Sequence, residues 1–307
     1  MHFSVTILGA GSATPMLGRH PSSQLLTYEN ETFLIDCGEG TQYRLLEQKI
    51  RPGRLKAIFI SHLHGDHYFG LIGLISSLNL GGRTDDLYLF GPRGLDEILT
   101  IQFKYSQTPL HFPIHFTVTD TTISYQLFEN QFFTVHTIPL DHRVPCAGFL
   151  FREKPHKRKL IKEKLVEDMP YDYLRQLKNG EDVLDEAGNL LFSFEEFTLP
   201  APPPRSYAYC SDTRYDERIA GCVQGVDLLY HEATFQEDLA HQAFERFHST
   251  TREAATVAQT AQAGKLLIGH FSSRYKEVGG FLSDAQSIFP KTEIAEEGKV
   301  FMVEASI

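Results

Sequence analysis

Cysteine is scarce in this chain, with four in 307 residues (Cys37, Cys146, Cys210 and Cys222) and no C-x-x-C pair among them. That scarcity argues against a disulfide framework or a thiolate zinc knuckle, and a reducing cytoplasm is the expected setting. The thiols read as small buried hydrophobes. No apolar run approaches the length of a bilayer span, and the start lacks the basic-then-apolar pattern of a secretory leader, so neither a membrane helix nor export is expected. No repeat of short period is present. Positive charge is also short: 29 Lys and Arg face 39 Asp and Glu, a net charge of −10. Phosphate contacts need cationic surface, so the overall balance argues mildly against nucleic acid. The rest is ordinary for a soluble globular protein, at 42% hydrophobic and 22% charged residues, and the length suits one large domain or two.

Short β-rich runs at 3–8, 24–27, 32–36, 57–60, 87–90, 115–118, 122–127 and 131–139 punctuate the first half. Helical patterns lie between them at 40–47, 68–80 and 93–105, with Gly81-Gly82 placed to end the second. After Phe151 the pattern changes to a charged, weakly periodic stretch closed by Leu199-Pro200-Ala201-Pro202-Pro203-Pro204-Arg205. Beyond it, 206–210, 226–230 and 265–268 read as strands and 251–263 as a helix. Strand and helix alternating on both sides of the insert predict an α/β (α+β) four-layer αββα sandwich, one domain over 1–307 with an inserted arm at 152–200.

The densest chemistry is His62-Leu63-His64-Gly65-Asp66-His67, just after the apolar run Ala57-Ile58-Phe59-Ile60. An alternating His-x-His leaving a strand points both rings the same way, and Asp66 and His67 follow where the chain turns into a helix. A polar loop of hydrogen-bonded histidines explains such density poorly. Imidazole and carboxylate without thiolate suit catalytic zinc or manganese, and the ligands are enough for two adjacent cations. Asp212, His270 and His142 also follow strand-like runs, where a rigid backbone meets solvent. The glycines of Gly9-Ala10-Gly11-Ser12-Ala13-Thr14 lack the third member of a dinucleotide fingerprint, so this segment reads as a tight turn facing the site.

His-x-His-x-Asp-His after a hydrophobic strand resembles the metallo-β-lactamase superfamily of dinuclear hydrolases. Within it, the opening Val5–Pro15 stretch, Leu34-Ile35-Asp36-Cys37-Gly38-Glu39-Gly40-Thr41-Gln42, Ser211-Asp212-Thr213, His231-Glu232-Ala233-Thr234, His248-Ser249-Thr250 and Gly269-His270-Phe271-Ser272-Ser273-Arg274-Tyr275 are similar, in order, to the ribonuclease Z family of tRNA 3′-processing endonucleases. The resemblance implies two similar halves and two zinc ions per subunit, with manganese as the alternative. By it, His62, His64 and His142 hold one ion, Asp66, His67 and His270 the other, and Asp212 bridges. It further implies two-metal phosphodiester hydrolysis, with Asp66 taking the proton of the attacking water and His248, positioned by Glu232, protonating the leaving ribose oxygen. The expected activity is removal of the 3′ trailer from precursor tRNA, leaving a 3′-hydroxyl, by a homodimer in which one subunit's arm holds tRNA cut by the other. Arg19 stands where the family's Pro-x-Lys-x-Arg-Asn loop would be and is expected to contact substrate, as is Arg274.

Residues 152–164 carry seven Lys or Arg against two Glu, and the stretch that follows is acidic. Lys157, Arg158, Lys159, Lys162 and Lys164 are therefore expected to meet tRNA phosphate. The arm lacks the glycine- and proline-rich hand common in the family, although Leu177-Lys178-Asn179-Gly180 is similar to part of it. Two rival functions stand beside this one. A small-molecule phosphodiesterase of the same superfamily would suit a closed pocket without an arm. A non-catalytic RNA-binding scaffold would have no reason to retain seven ligand residues.

Overall fold

The computed structural model describes residues 2–306. In chain order the elements are β1 (Phe3–Gly9), β2 (Ser23–Tyr28), β3 (Glu31–Ile35), α1 (Thr41–Glu47), β4 (Leu55–Phe59), α2 (Gly65–Tyr68), α3 (Leu71–Leu80), β5 (Leu87–Gly91), α4 (Leu95–Tyr105), β6 (Ile114–Val118), β7 (Gln126–Glu129), β8 (Phe133–Leu140) and β9 (Cys146–Glu153). The arm holds β10 (Lys159–Leu160), α5 (Tyr171–Asn179), β11 (Val183–Leu184), β12 (Leu190–Phe192), α6 (Phe194–Phe197) and β13 (Thr198–Leu199). Then come β14 (Ser206–Cys210), α7 (Glu217–Cys222), β15 (Leu228–Glu232), α8 (Ala240–Arg246), α9 (Thr251–Thr260), β16 (Lys265–Gly269), α10 (Gly279–Gln286), β17 (Thr292–Ile294) and β18 (Val300–Met302).

Two seven-stranded sheets form, in the orders β18-β1-β2-β3-β4-β5-β6 and β17-β16-β15-β14-β9-β8-β7. Each half uses the same pairing sequence. β1-β2-β3 is antiparallel and β3-β4-β5-β6 parallel, just as β8-β9-β14 is antiparallel and β14-β15-β16-β17 parallel. An antiparallel edge strand, β18 or β7, completes each sheet. The arm sits between β9 and β14, where the first half has only the turn between β2 and β3.

The sheets face each other across an interior rich in aromatic rings. Phe59 stacks on Phe90 at 4.7 Å and meets Phe151 of the opposite sheet edge-on at 5.3 Å. Leu45, Leu71, Leu74 and Leu99 cover the outer face of the first sheet, and Ile219, Ala254, Val257 and Phe281 that of the second. Four layers result because each sheet buries both faces.

Four local expectations change. The helix expected at 68–80 is split: Asp66 and His67 occupy a separate turn, α2, and α3 starts after Gly70. A Cβ on Gly70 would lie 2.1 Å from the carbonyl oxygen of Gly38, so only glycine allows the approach that breaks the helix there. The strand expected at 122–127 lies instead at Gln126–Glu129, because Asp120 accepts hydrogen bonds from the Thr122 N–H and hydroxyl and curls the start of the segment. β9 has no counterpart among the expected strands. It is buried on both faces and shows no alternation to read. Leu177–Asn179 is the last turn of α5, which Gly180 ends in a left-handed conformation (φ 82°), so these residues form a helix cap and not a hand.

The arm starts after Glu153, later than 152, because β9 pairs with β8 and β14 through Glu153 and Arg152. Arg205, just before β14, grips the buried Glu153 carboxylate through Nη2 (2.7 Å) and Nε (3.0 Å), tying the two stems together. The arm has its own small core of Leu177 and Val183, with Phe192 against Phe197 at 5.2 Å. Arg158 belongs to that packing. Its Nε donates to the Thr198 hydroxyl (2.6 Å), and the guanidinium lies 4.8 Å from the Phe194 ring centre. Lys157, Lys159, Lys162 and Lys164 are exposed. Among the described residues no helix is long and apolar enough to cross a membrane.

Candidate metal centre

The cluster forms where the carboxyl ends of β4, β14 and β16 meet the loop after β8. Parallel pairing in each half brings these ends to one edge. His62 leaves β4, and His64 caps α2, whose first turn carries Asp66 and His67. Asp212 follows β14, His142 follows β8, and His270 follows β16 with its backbone in the left-handed region (φ 62°), a strained conformation for a residue with a Cβ.

The donor atoms converge in two groups that a third overlaps. Those of His62, His64, His142 and Asp212 lie within 4.8 Å of one another, as do those of Asp66, His67 and His270, and those of Asp212, His248 and His270. His64 Nδ1 is 3.1 Å from both His62 Nε2 and His142 Nε2. Asp212 stands between the groups. Its Oδ2 is 3.6 Å from His62 Nε2 and 3.8 Å from His142 Nε2, while its Oδ1 is 3.5 Å from His67 Nε2 and 3.3 Å from His270 Nε2. Asp66 Oδ2 is 3.4 Å from His67 Nε2 and from His270 Nε2.

An outer ring of acceptors fixes the histidines. The Nδ1–H of His67 donates to Asp36 (2.7 Å), that of His142 to the Phe247 carbonyl (2.9 Å) and that of His270 to the Thr234 hydroxyl (2.8 Å). The His62 Nδ1–H donates to the Ser61 hydroxyl (3.0 Å), which itself donates to Asp36. Holding Nδ1 in this way turns Nε2 inward and makes it the better ligand.

The group fits divalent cations. His67 Nε2 and Asp212 Oδ1 are buried and have no hydrogen-bond partner among the described residues. Burial lowers the pKa of His62 and His142, keeping them in the neutral form a ligand needs. At His67 burial is outweighed by Asp212, Asp66 and Asp36, which push its pKa well above the usual value. The three carboxylates therefore favour a positive charge at this point.

Glu232 ends β15 fully buried. Its Oε1 accepts from the N–H groups of Thr213 and Ser249 and from His248 Nδ1 (2.9 Å), and its Oε2 accepts from the Thr234 N–H and hydroxyl. Burial opposes charge on His248, but Glu232 overrides it and raises the pKa to about 9. The Thr250–Glu253 capping box starts α9 directly after His248 and so sets the position of that loop.

A cleft of about 440 Å³ opens over the cluster, lined by Thr14, Asp66, His248 and His270 and by three exposed arginines, Arg143, Arg246 and Arg274. A chain of net charge −10 thus has a locally basic rim. Arg274, expected to contact substrate, lines this cleft. Arg19 does not line the cleft: its Nη2 donates to the Lys276 carbonyl (3.0 Å), and its guanidinium lies 5.9 Å from the Phe271 ring centre. Lys157, Arg158, Lys159, Lys162 and Lys164 are not among the residues lining the cleft. Sequence reading missed Arg143, Arg246 and Asp36. Arg143 directly follows a candidate ligand, and Asp36 follows β3 much as Asp212 follows its counterpart β14, with a left-handed backbone (φ 54°).

Comparison with known proteins adds three findings. A family model described as "Anti-Pycsar protein Apyc1" matches residues 3–154, the part carrying β1–β9 and the His62–His67 motif. Ribonuclease Z of Cytophaga hutchinsonii is 50% identical over 303 residues (99% of this chain, 97% of that protein), and ribonuclease Z of Bacteroides fragilis is 42% identical over 296 residues (96% and 97%). The crystal structure of human tRNase Z, short form, superposes with a TM-score of 0.70 at 27% identity, covering 98% of this chain and 99% of that one.

Proposed function

The chain belongs to the ribonuclease Z family, and from that premise we propose that it is a zinc-dependent endoribonuclease removing the 3′ trailer from precursor tRNA by two-metal phosphodiester hydrolysis. The observation that carries the reading is Asp212, whose two oxygens each face one group of histidines. His62, His64 and His142 would hold one cation and Asp66, His67 and His270 the other, with Asp212 shared. When bound, two such ions lower the pKa of water and neutralise charge on the scissile phosphate, and manganese is an alternative to zinc. Asp66, ionised and beside the cleft, accepts the proton of the attacking water. His248 is protonated at neutral pH with Nδ1 held by Glu232, which leaves Nε2 to protonate the departing ribose oxygen and leave a 3′-hydroxyl on the tRNA. Arg143, Arg246 and Arg274 bind phosphates around the cut.

The arm suggests how the tRNA body is held. It is rooted at the end of β14 opposite Asp212, with the five-residue strand, roughly 16 Å long, between them. An arm leaving that end suits tRNA cut in another subunit, and we assign the active form to a cytoplasmic homodimer whose exposed lysines at 157, 159, 162 and 164 grip the partner's substrate. A small-molecule phosphodiesterase has no use for such an arm, and likeness to the ribonuclease Z relatives extends through it.

Purified protein with added zinc should cut a precursor tRNA at the end of the acceptor stem and leave a 3′-hydroxyl. Turnover of generic diesters with an untouched precursor tRNA would refute the assignment.

A further inference from the structure

Phe69 is a large apolar side chain left 59% exposed immediately after the ligand-bearing turn α2. Its ring lies over Gly65. A Cβ at that glycine would come within 2.1–2.6 Å of three ring atoms, so the motif's glycine is what lets the ring lie there. The ring also meets Tyr68 edge-on at 5.1 Å. It thus has a support beneath it while much of its surface is open to solvent.

The ring borders a groove of about 380 Å³ that shares His64, Asp66 and Arg143 with the metal cleft. Pro15 and Pro21 form apolar parts of the wall. Nothing in the proposed hydrolysis uses Phe69, and exposing such a ring costs hydrophobic free energy unless something covers it. An open aromatic face beside an exposed arginine is the combination by which proteins hold unpaired nucleotides: the base stacks and the phosphate meets the cation.

We propose that Phe69 is a stacking platform for the base of an unpaired nucleotide next to the scissile phosphate, with Arg143 meeting that nucleotide's phosphate. The inference rests on the ribonuclease reading and deepens it. A paired acceptor stem presents its bases only at its open end, so the occupant belongs to the single-stranded stretch at the cut. It is either the last nucleotide of the tRNA or the first of the trailer. Stacking is tolerant of base identity, as a processing enzyme facing many trailers requires.

The test compares wild type, Phe69→Ala and Phe69→Tyr, all zinc-loaded, on three precursor tRNAs. One is intact, one has an abasic last tRNA nucleotide, and one has an abasic first trailer nucleotide. On the intact precursor Phe69→Ala should lose roughly 5- to 100-fold in kcat/KM, the range for removal of one base stack, while Phe69→Tyr stays near wild type. On one of the abasic precursors wild type should fall to the level of Phe69→Ala, and that substrate identifies the stacked nucleotide. The proposal is overturned if Phe69→Ala cleaves the intact precursor like wild type, if tyrosine fails as alanine does, or if the alanine variant is impaired equally on all three substrates. A wild-type chain inert on precursor tRNA defeats the ribonuclease reading and this inference with it. Full wild-type cleavage with an indifferent Phe69→Ala defeats only the stacking platform.

Discussion

Asp66 and His248 have opposite proposed roles, as proton acceptor and proton donor, and their surroundings shift them in opposite directions. Asp66 has burial against its ionisation, yet His67 and His270 hold its carboxyl far below the usual range, so it is ionised at any working pH. His248 is shifted the other way, to about 9. Asp66→Ala should remove nearly all single-turnover cleavage while the affinity for precursor tRNA, measured by filter binding, changes little. His248→Ala should cost about 10²- to 10⁴-fold in the chemical step, as removal of a general acid does. The sign of its pH dependence follows from the role. A proton donor works below its pKa, so wild-type cleavage should fall as pH rises through about 9, and that basic limb should disappear in His248→Ala. A single-turnover pH profile of both proteins checks this.

Among the elements, the arm most needs its residues sorted. Arg158 looks equivalent to its neighbours in the sequence, but its contacts with Thr198 and Phe194 make it a packing residue, and replacing it would disturb the arm as a whole. The informative variant is Lys157→Ala, Lys159→Ala and Lys162→Ala together, all at exposed positions. Tight binding of precursor tRNA should weaken, and the slope of log affinity against log salt should shrink by roughly 0.9 for each duplex phosphate that is no longer neutralised. Hydrolysis of a small chromogenic diester should be unaffected. A salt slope equal to wild type would show that the lysines are only solvated.

For the whole molecule, the sheets and the cluster depend on each other, because the proposed ligands come from both halves of the chain. Chelation should therefore lower the melting temperature as well as stop cleavage, and added zinc or manganese should restore both, since a cation that binds only the folded state stabilises it by mass action. Differential scanning calorimetry with and without chelator measures the shift. Phe59 tests the interior that holds the halves in register. Phe59→Ala should cost about 3–5 kcal/mol, read from denaturant unfolding, because its ring contacts Phe90 within its own sheet and Phe149 and Phe151 across the interface.

The sequence alone was sufficient for the features whose signal is local. His62, His64, Asp66 and His67 declare metal chemistry within six residues, and β14, foreseen as 206–210, needed only its apolar run between turn signals. The distant candidate ligands were legible through family order, because a place after a strand does not by itself separate His142, Asp212 and His270 from structural residues. Tertiary structure decided the rest. Only the parallel registers of β3-β4 and β14-β15-β16 bring His62 and Asp212, 150 positions apart, to within 3.6 Å. Only packing reveals that Asp36 fixes His67, that Arg158 faces inward, that Arg19 turns away from the cleft and that Phe69 stays open beside it. A residue type states what chemistry a side chain can do, whereas its partners depend on which strand ends the sheet brings together, and that is set by the burial of the whole chain.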